Sequence, residues 1–352
     1  MVKTRQWQLA HQPRDEPQLD GPEQTFKLKE VDLPELQDDE LLIKITDLSN
    51  DPAQRGWIDP DLAESGRLYV PPVKVGAPMS ARALAEVVES RSSDYKKGDV
   101  VIAAPGWTEM AVVKASAVQP AKDLPGNMSK THYLGALGGT GLTAYFGLTE
   151  VGQAKKDDIV VISGAAGATG SMAVQIAKKI IGCKKVIGIA GTDEKCRWVE
   201  KLGADVCLNY KSSSFQEDFK KQTPTGDGFV DVYFDNVAGD ILDLVLTRMA
   251  SRGRVIACGA ISSYNTAPER TAGLKNWFEI VIMRVRVQGF IVLDYMKDFP
   301  RALDELRQAL EDGKLEIEGG ETVVSGSFED VPKTWLKLFS GSNQGKLVTH
   351  IN

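Results

Sequence analysis

The chain has 352 residues, of which 42% are hydrophobic and 26% charged, and a formal net charge of −6. That length accommodates about two domains, and the composition is that of a globular protein able to bury a core without disulfides or metals. A small acidic excess, with no block of Lys or Arg, argues against nucleic acid and against an anionic membrane as partners.

In chain order, residues 1–17 lack an apolar run, so no signal peptide or membrane anchor is expected there. Residues 11–24 are polar, hold three prolines and read as a surface loop. Short Val- and Ile-rich runs at 40–47, 83–90, 99–103 and 108–114, broken by turn residues, predict the strands of a β-rich domain. From about residue 156 strands alternate with amphipathic helices. Strands are expected at 158–163, 185–190, 206–210, 230–235 and 254–259, and helices at 168–181, 193–202 and 215–221. A further helix, capped by Asp240, is expected to run to residue 250. This alternation predicts an α/β fold with a Rossmann-type doubly wound parallel sheet.

Residues 262–276 read as an irregular loop, long enough to be a candidate functional segment. A strand at 281–293 and a helix at 302–311, ended by Gly313, follow. Residues 322–352 have strand, helix and strand texture and are expected to rejoin the first domain. The expected division is 1–136, 137–312 and 313–352. No stretch of 18 uncharged apolar residues predicts a membrane span. Cys183, Cys196, Cys207 and Cys258 form no CxxC pair, so a reducing, cytoplasmic setting is expected.

The segment Ser163-Gly164-Ala165-Ala166-Gly167-Ala168-Thr169-Gly170 follows an apolar strand and opens a helix, the context of a dinucleotide site. Small residues at Gly164, Ala166, Gly167 and Gly170 let the backbone approach a pyrophosphate. The helix start at Ala168 and Thr169 adds unpaired N–H groups and the positive end of a dipole. At the end of the second strand an NAD enzyme places a carboxylate to accept from the ribose 2′-OH. Here the chain reads Ala190-Gly191-Thr192, with Asp193 and Glu194 at home in the first turn of a helix and Lys195 behind them. The missing acid, with Thr192 and Lys195 nearby, favours a 2′-phosphate and hence NADPH. A solvated helix lysine is the other reading of Lys195.

Further runs carry a family resemblance: Asp51-Pro52-Ala53-Gln54-Arg55-Gly56-Trp57, Leu137-Gly138-Gly139-Thr140-Gly141-Leu142-Thr143-Ala144-Tyr145, and Thr192-Asp193-Glu194-Lys195. Asn209-Tyr210-Lys211, Phe234-Asp235-Asn236-Val237, Cys258-Gly259-Ala260-Ile261-Ser262 with Tyr264-Asn265, and Asn343-Gln344-Gly345-Lys346 continue it. Almost end to end, the chain resembles the zinc-independent medium-chain dehydrogenases/reductases of the leukotriene B4 dehydrogenase, prostaglandin reductase and alkenal double-bond reductase branch. The resemblance implies a GroES-like catalytic domain beside the Rossmann domain. It implies that Lys195 and Tyr210 bind the 2′-phosphate, that Asn236 and Asn343 line the cofactor, and that Tyr264 belongs to the catalytic site. Thr192, Cys258, Gly259, Ile261, Ser262, Tyr264 and Gly345 complete the expected cofactor-binding set. Two positions depart from the family: Gly139 replaces a usual Met, and Ala238 stands where Gly is more frequent.

No metal site is expected. Zinc-dependent relatives need a thiolate and a Gly-His-Glu histidine; this chain has no cysteine before Cys183, and His11, His132 and His350 stand apart. Without a Lewis acid, oxidation of an alcohol is difficult. Reduction of a C=C bond conjugated to a carbonyl needs only hydride at the β-carbon and hydrogen bonds to the enolate oxygen. The expected activity is therefore NADPH-dependent reduction of small enals or enones, by a protein that its relatives imply is a homodimer. A quinone reductase and a cofactor-binding protein with little turnover are the alternatives. Cys258 is expected to be an inert buried thiol, and Trp57, Tyr69 and Trp107 to be core or pocket residues. Arg55 and Glu109 could form a structural ion pair.

Overall fold

The computed structural model describes residues 2–352. An antiparallel pair that the sequence pattern did not reveal opens the chain, β1 (Lys3–Leu9) with β2 (Phe26–Asp32). The fully buried apolar pair lies at the inner end of that ribbon, where Leu9 faces Phe26, and Trp7 opposite Leu28 packs half-buried on the same core. Then follow β3 (Glu40–Asn50), α1 (Gln54–Trp57), α2 (Pro60–Ser65), β4 (Ala83–Ser90), β5 (Val100–Ala103), β6 (Met110–Lys114), β7 (Gln119–Pro120) and α3 (Gly139–Phe146). α2 starts with Pro60 behind an Asp59 cap that accepts from Leu62 N–H at 3.0 Å, a standard opening for a short helix.

The second half runs β8 (Ile159–Ser163), α4 (Ala168–Gln175), β9 (Lys185–Ala190), α5 (Asp193–Leu202), β10 (Val206–Asn209), α6 (Phe215–Gln222), β11 (Val230–Asp235), α7 (Gly239–Leu246), β12 (Met249–Ala257), α8 (Phe278–Met283), β13 (Arg286–Gly289) and α9 (Phe299–Glu311). α4 continues as a π-helical stretch over Ile176–Ile181. The strands form one parallel sheet in the order β10-β9-β8-β11-β12-β13. β8 lies inside this sheet with all five residues buried, as a strand covered on both faces must be. The order reverses between β8 and β11, which opens a crevice at their carboxyl ends where ligands of such sheets bind.

Three expectations need correction. Asp240 does not cap a helix reaching residue 250: α7 begins at Gly239, ends at Leu246, and the chain is back in a strand from Met249. Burial of Met249, Val255 and Ile256 in the sheet decides this. The run at 281–293 is not one strand either. Its apolar residues lie on a helical period, with Ile280 and Met283 packed on the sheet core while Phe278, Val281 and Ile282 stay exposed. Only Arg286–Gly289 is extended, as the edge strand. The helix expected at 302–311 starts earlier, at Phe299, with Pro300 in its first turn.

The last elements, β14 (Glu321–Gly326), α10 (Val331–Ser340) and β15 (Lys346–Ile351), join the first half. They complete a sheet of order β14-β15-β3-β4-β5-β7, with β6 on β3 and Leu347 opposite Asn50. α10 carries Trp335 into an aromatic knot, its ring 5.8 Å from Trp107 and 5.9 Å from Phe26, both edge-on. Trp107 is thus core, and each such pair adds ~1 kcal/mol beyond its buried area.

Ala238 precedes α7 at φ 62, ψ −151, a conformation that is nearly exclusive to glycine. Its N–H donates to Asp235 Oδ1 at 2.9 Å, which holds it there. Ala238→Gly is therefore expected to raise stability by ~1 kcal/mol, visible as a rise of roughly 2 °C in Tm. A lowered Tm would show that the alanine sits there without strain.

Candidate active site

The turn after β8 is built by close approach. Gly164 has φ +58, and a Cβ on Gly170 would stand 2.1 Å from the Gly164 carbonyl oxygen. Gly167 is the N-cap of α4, where no side chain accepts from the first turn, so the N–H groups of Ala168, Thr169 and Gly170 have no partner within the helix. Ser163 Oγ donates to Asp235 Oδ1 at 3.1 Å, while Asn236 donates from its backbone N to Ser163 Oγ at 3.0 Å and from Nδ2 to Ser163 O at 2.7 Å. Asn236 is fixed by these bonds at the mouth of the crevice. Beneath it, buried Asp235 accepts from Val237 N–H, Ala238 N–H and the Tyr233 hydroxyl at 3.0, 2.9 and 2.8 Å. Burial raises its pKa against those bonds. Asp235 is the post around which 235–238 turns, a part that its place in a Phe-Asp-Asn run did not disclose.

At the end of β9 the Tyr210 ring lies against Gly191, 3.1 Å from where a Cβ would stand. Thr192 caps α5, its Oγ1 accepting from Lys195 N–H at 3.2 Å. The Lys195 ammonium is not a free solvated charge: it donates to the carbonyls of Gly341 at 2.8 Å and Asn343 at 2.6 Å. Burial, and then the charge of Lys211, lower its pKa. Lys211, whose ammonium lies 5.8 Å from the Tyr210 ring centre, is a second cation at this spot that the sequence reading passed over. Its signal was present in the Asn-Tyr-Lys run. Asp193 is occupied with Asn209 Nδ2 at 2.8 Å. Asn343 Nδ2 donates to Gly345 O at 2.9 Å, and Gly345 N to Ala166 O at 2.8 Å. Lys195, Asn343, Gly345 and the glycine turn therefore form one continuous wall.

The segment after β12 is laced to β11's end. Cys258 and Gly259 N–H donate to Asp235 O at 2.9 and 3.0 Å, Ile261 N–H to Asn236 O at 3.3 Å, and the Ser262 hydroxyl to Val237 O at 2.6 Å. The Tyr264 hydroxyl accepts from Ala260 N–H at 3.2 Å. A phenol can accept and donate together, so this bond leaves its proton uncommitted. Burial raises the Tyr264 pKa, and Cys258 and Tyr69 add to the shift. Tyr69, on the first half, accepts from Trp57 Nε1 at 3.3 Å and is itself pushed up by burial. The Cys258 thiol is pushed up to about 12 by burial, so it is not a thiolate at neutral pH.

Arg55 and Glu109 are not a pair. Glu109 sits beside β1 and takes Arg5 Nε at 2.8 Å, whereas Arg55 turns inward to Asn265, Asp59 and two backbone carbonyls. A Cβ on Gly139 would meet nothing within 4 Å, so open space surrounds this position. Among the described residues no cluster of His, Cys, Asp and Glu could hold a metal ion, and no helix is long and apolar enough to cross a membrane.

Known proteins related to this chain identify its family. Residues 5–121 match the family described as the N-terminal domain of oxidoreductase, and residues 168–308 match the zinc-binding dehydrogenase family. The chain is 37% identical to prostaglandin reductase 1 of Bos taurus over 92% of this chain and 93% of that protein. It is 34% identical to the NADPH-dependent curcumin reductase of Escherichia coli over 99% and 97%. The solved structure of CurA in complex with NADPH from Vibrio vulnificus superposes with a TM-score of 0.86 at 31% identity, covering 99% of both chains. The chain, a Rossmann domain joined to a GroES-like domain, thus belongs to the zinc-independent medium-chain dehydrogenases/reductases, and is an oxidoreductase of their prostaglandin reductase branch.

Proposed function

We propose that the protein reduces the C=C bond of α,β-unsaturated aldehydes or ketones with NADPH, as a cytoplasmic homodimer. The observation that carries this reading is the Tyr264 hydroxyl, held by one backbone N–H beside the switch-point crevice with its own proton free. The residues fit the cofactor. The turn of Gly164, Ala166, Gly167, Ala168, Thr169 and Gly170, which closes on itself only because Gly170 has no Cβ, offers the uncapped N–H groups at the start of α4 to a pyrophosphate. Thr192, Lys195 and Tyr210, with Lys211, offer donors and positive charge to a 2′-phosphate. Asn236, Cys258, Gly259, Ile261 and Ser262 line the nicotinamide end, and Asn343 and Gly345 close the side. NADPH, when bound, supplies the hydride that the β-carbon receives. Tyr264 donates its hydrogen bond to the carbonyl oxygen, and that bond strengthens as negative charge gathers there in the enolate, which then takes a proton from solvent at its α-carbon to give the saturated carbonyl. The relatives named as prostaglandin and NADPH-dependent curcumin reductases support the reading.

The dimer is supported by β13, an edge strand with all four residues exposed, flanked by exposed Trp277, Phe278, Val281 and Ile282. An edge of this kind pairs with a second copy of itself across a two-fold axis. Light scattering that finds only monomer at micromolar concentration removes the dimer.

The activity is tested by following NADPH consumption with an alkenal, an enone and a quinone in parallel. The expected outcome is turnover of alkenal and enone, with mass spectrometry showing a saturated product that keeps its carbonyl. Turnover of the quinone alone, or an alcohol product, overturns the reading.

A further inference from the structure

The guanidinium of Arg55 sits where three segments distant in sequence meet, and its side chain is 1% exposed. Nε donates to Asn265 Oδ1 at 3.2 Å, Nη2 to the carbonyls of Pro13 and Asp15 at 2.8 and 3.0 Å, and Nη1 to Asp59 Oδ2 at 3.3 Å. The only carboxylate in this set makes the longest contact. A cation enclosed with so little countercharge is a poor device for stability, since an apolar side chain fills a purely structural position at less desolvation cost. The rigid planar fork of Arg instead suits a group that must hold several acceptors in fixed directions.

What it holds bears on the site. Asn265 directly follows Tyr264. Asp15, whose carbonyl Arg55 grips, also accepts from Ala267 N–H at 3.2 Å through Oδ1 and pairs there with Arg270. The 11–24 loop is thereby fastened along the segment that carries Tyr264, by Arg55 at one end and Asp15 at the other. Among the described residues the Tyr264 side chain has one hydrogen bond of its own, accepted from Ala260 N–H within the same turn. Its position relative to the first half therefore depends on these ties.

We propose that Arg55 is a positioning residue of the reductase site: through Asn265 it fixes Tyr264 at the crevice, and through Pro13 and Asp15 it makes the 11–24 loop a wall of the substrate cleft. This rests on the reading of Tyr264 as the enolate donor. The test measures kcat for an enone and NADPH affinity by cofactor fluorescence in Arg55→Met, Asn265→Ala, Tyr264→Phe and their pairwise combinations.

Arg55→Met and Asn265→Ala are each expected to lower kcat about tenfold or more, with NADPH affinity within about threefold of wild type. Because both remove one tie, the double variant should be no worse than the poorer single, and Asn265→Ala should add little in the Tyr264→Phe background. Losses that multiply in the double variant overturn the proposal. So does full kcat in Asn265→Ala when Tyr264→Phe is impaired, and that pattern leaves the role of Tyr264 standing. Full kcat in Tyr264→Phe instead sinks the underlying reading. Should Arg55→Met fail to fold, Asn265→Ala, which leaves the other bonds of Arg55 in place, still decides.

Discussion

Tyr264→Phe is expected to lower kcat on enones about a hundredfold while leaving NADPH affinity nearly unchanged. The phenol keeps a donor to offer, because its oxygen accepts from Ala260 N–H and its proton has no partner among the described residues. A hydrogen bond to a carbonyl oxygen strengthens as that oxygen becomes an enolate, so its loss is felt in the transition state, where one such donor is worth ~3 kcal/mol. Phenylalanine keeps the ring and its packing, which separates the lost donor from a lost shape. The raised pKa has a consequence with a definite sign. A phenol pushed above its ordinary value of 10 keeps its proton to higher pH, so any loss of kcat from its ionisation should set in at a higher pH than for a free phenol. An unchanged kcat in the variant, with chemistry shown to be rate-limiting by a deuteride isotope effect, removes Tyr264 from the mechanism.

Lys195→Ala should raise the KM for NADPH ten- to a hundredfold and leave that for NADH nearly untouched. A 2′-phosphate carries close to two negative charges at neutral pH and needs cations or N–H donors at the end of β9. Position 191 is a glycine and so carries no carboxylate to repel it, and Asp193 is turned to Asn209. Burial, and then the charge of Lys211, lower the Lys195 pKa, and an anion between the two ammonium groups would relieve that repulsion. One charge-assisted contact contributes ~1.5–3 kcal/mol, which sets the expected factor. The lysine also ties α5 to the carbonyls of Gly341 and Asn343, so the comparison with NADH is essential. Equal losses for both cofactors would mean that Lys195 serves the fold, and a wild type that prefers NADH would sink the cofactor assignment.

The Rossmann half was legible because its signals are local. The strand at Val230–Asp235, the helix Asp193–Leu202 with its stop at Gly203, and the glycine turn each lie within one short window of sequence. Where packing at a distance decides, local patterns misled. The β-branched residues around 281 suggested a strand, yet docking of Ile280 and Met283 on the sheet makes a helix. β1 reads as a polar run because only Leu9 at its inner end and Thr4 are buried. The site shows the same division. Gly164, Lys195 and Tyr264 stand in recognisable runs, whereas the surroundings of Arg55 come from residues 13, 15, 59 and 265 and have no signature in any window.

The place of β15 bears on how such a chain must be made. Its partner β3 lies across Asn50 and Leu347, 297 residues apart. During synthesis β3 emerges early, and the Asp47–Asn50 end of one of its edges, beyond the stretch that β6 covers, stays unpaired while the whole parallel sheet is being made. That sheet, whose contacts are closer in sequence, is free to form first, so the first half waits on the second for its last strands. Contacts of such separation are slow to form and leave apolar surface exposed meanwhile. The Gly345 bond to Ala166 then closes both halves in a single stroke, with the cofactor wall and the completed sheet drawn from the same short stretch of chain.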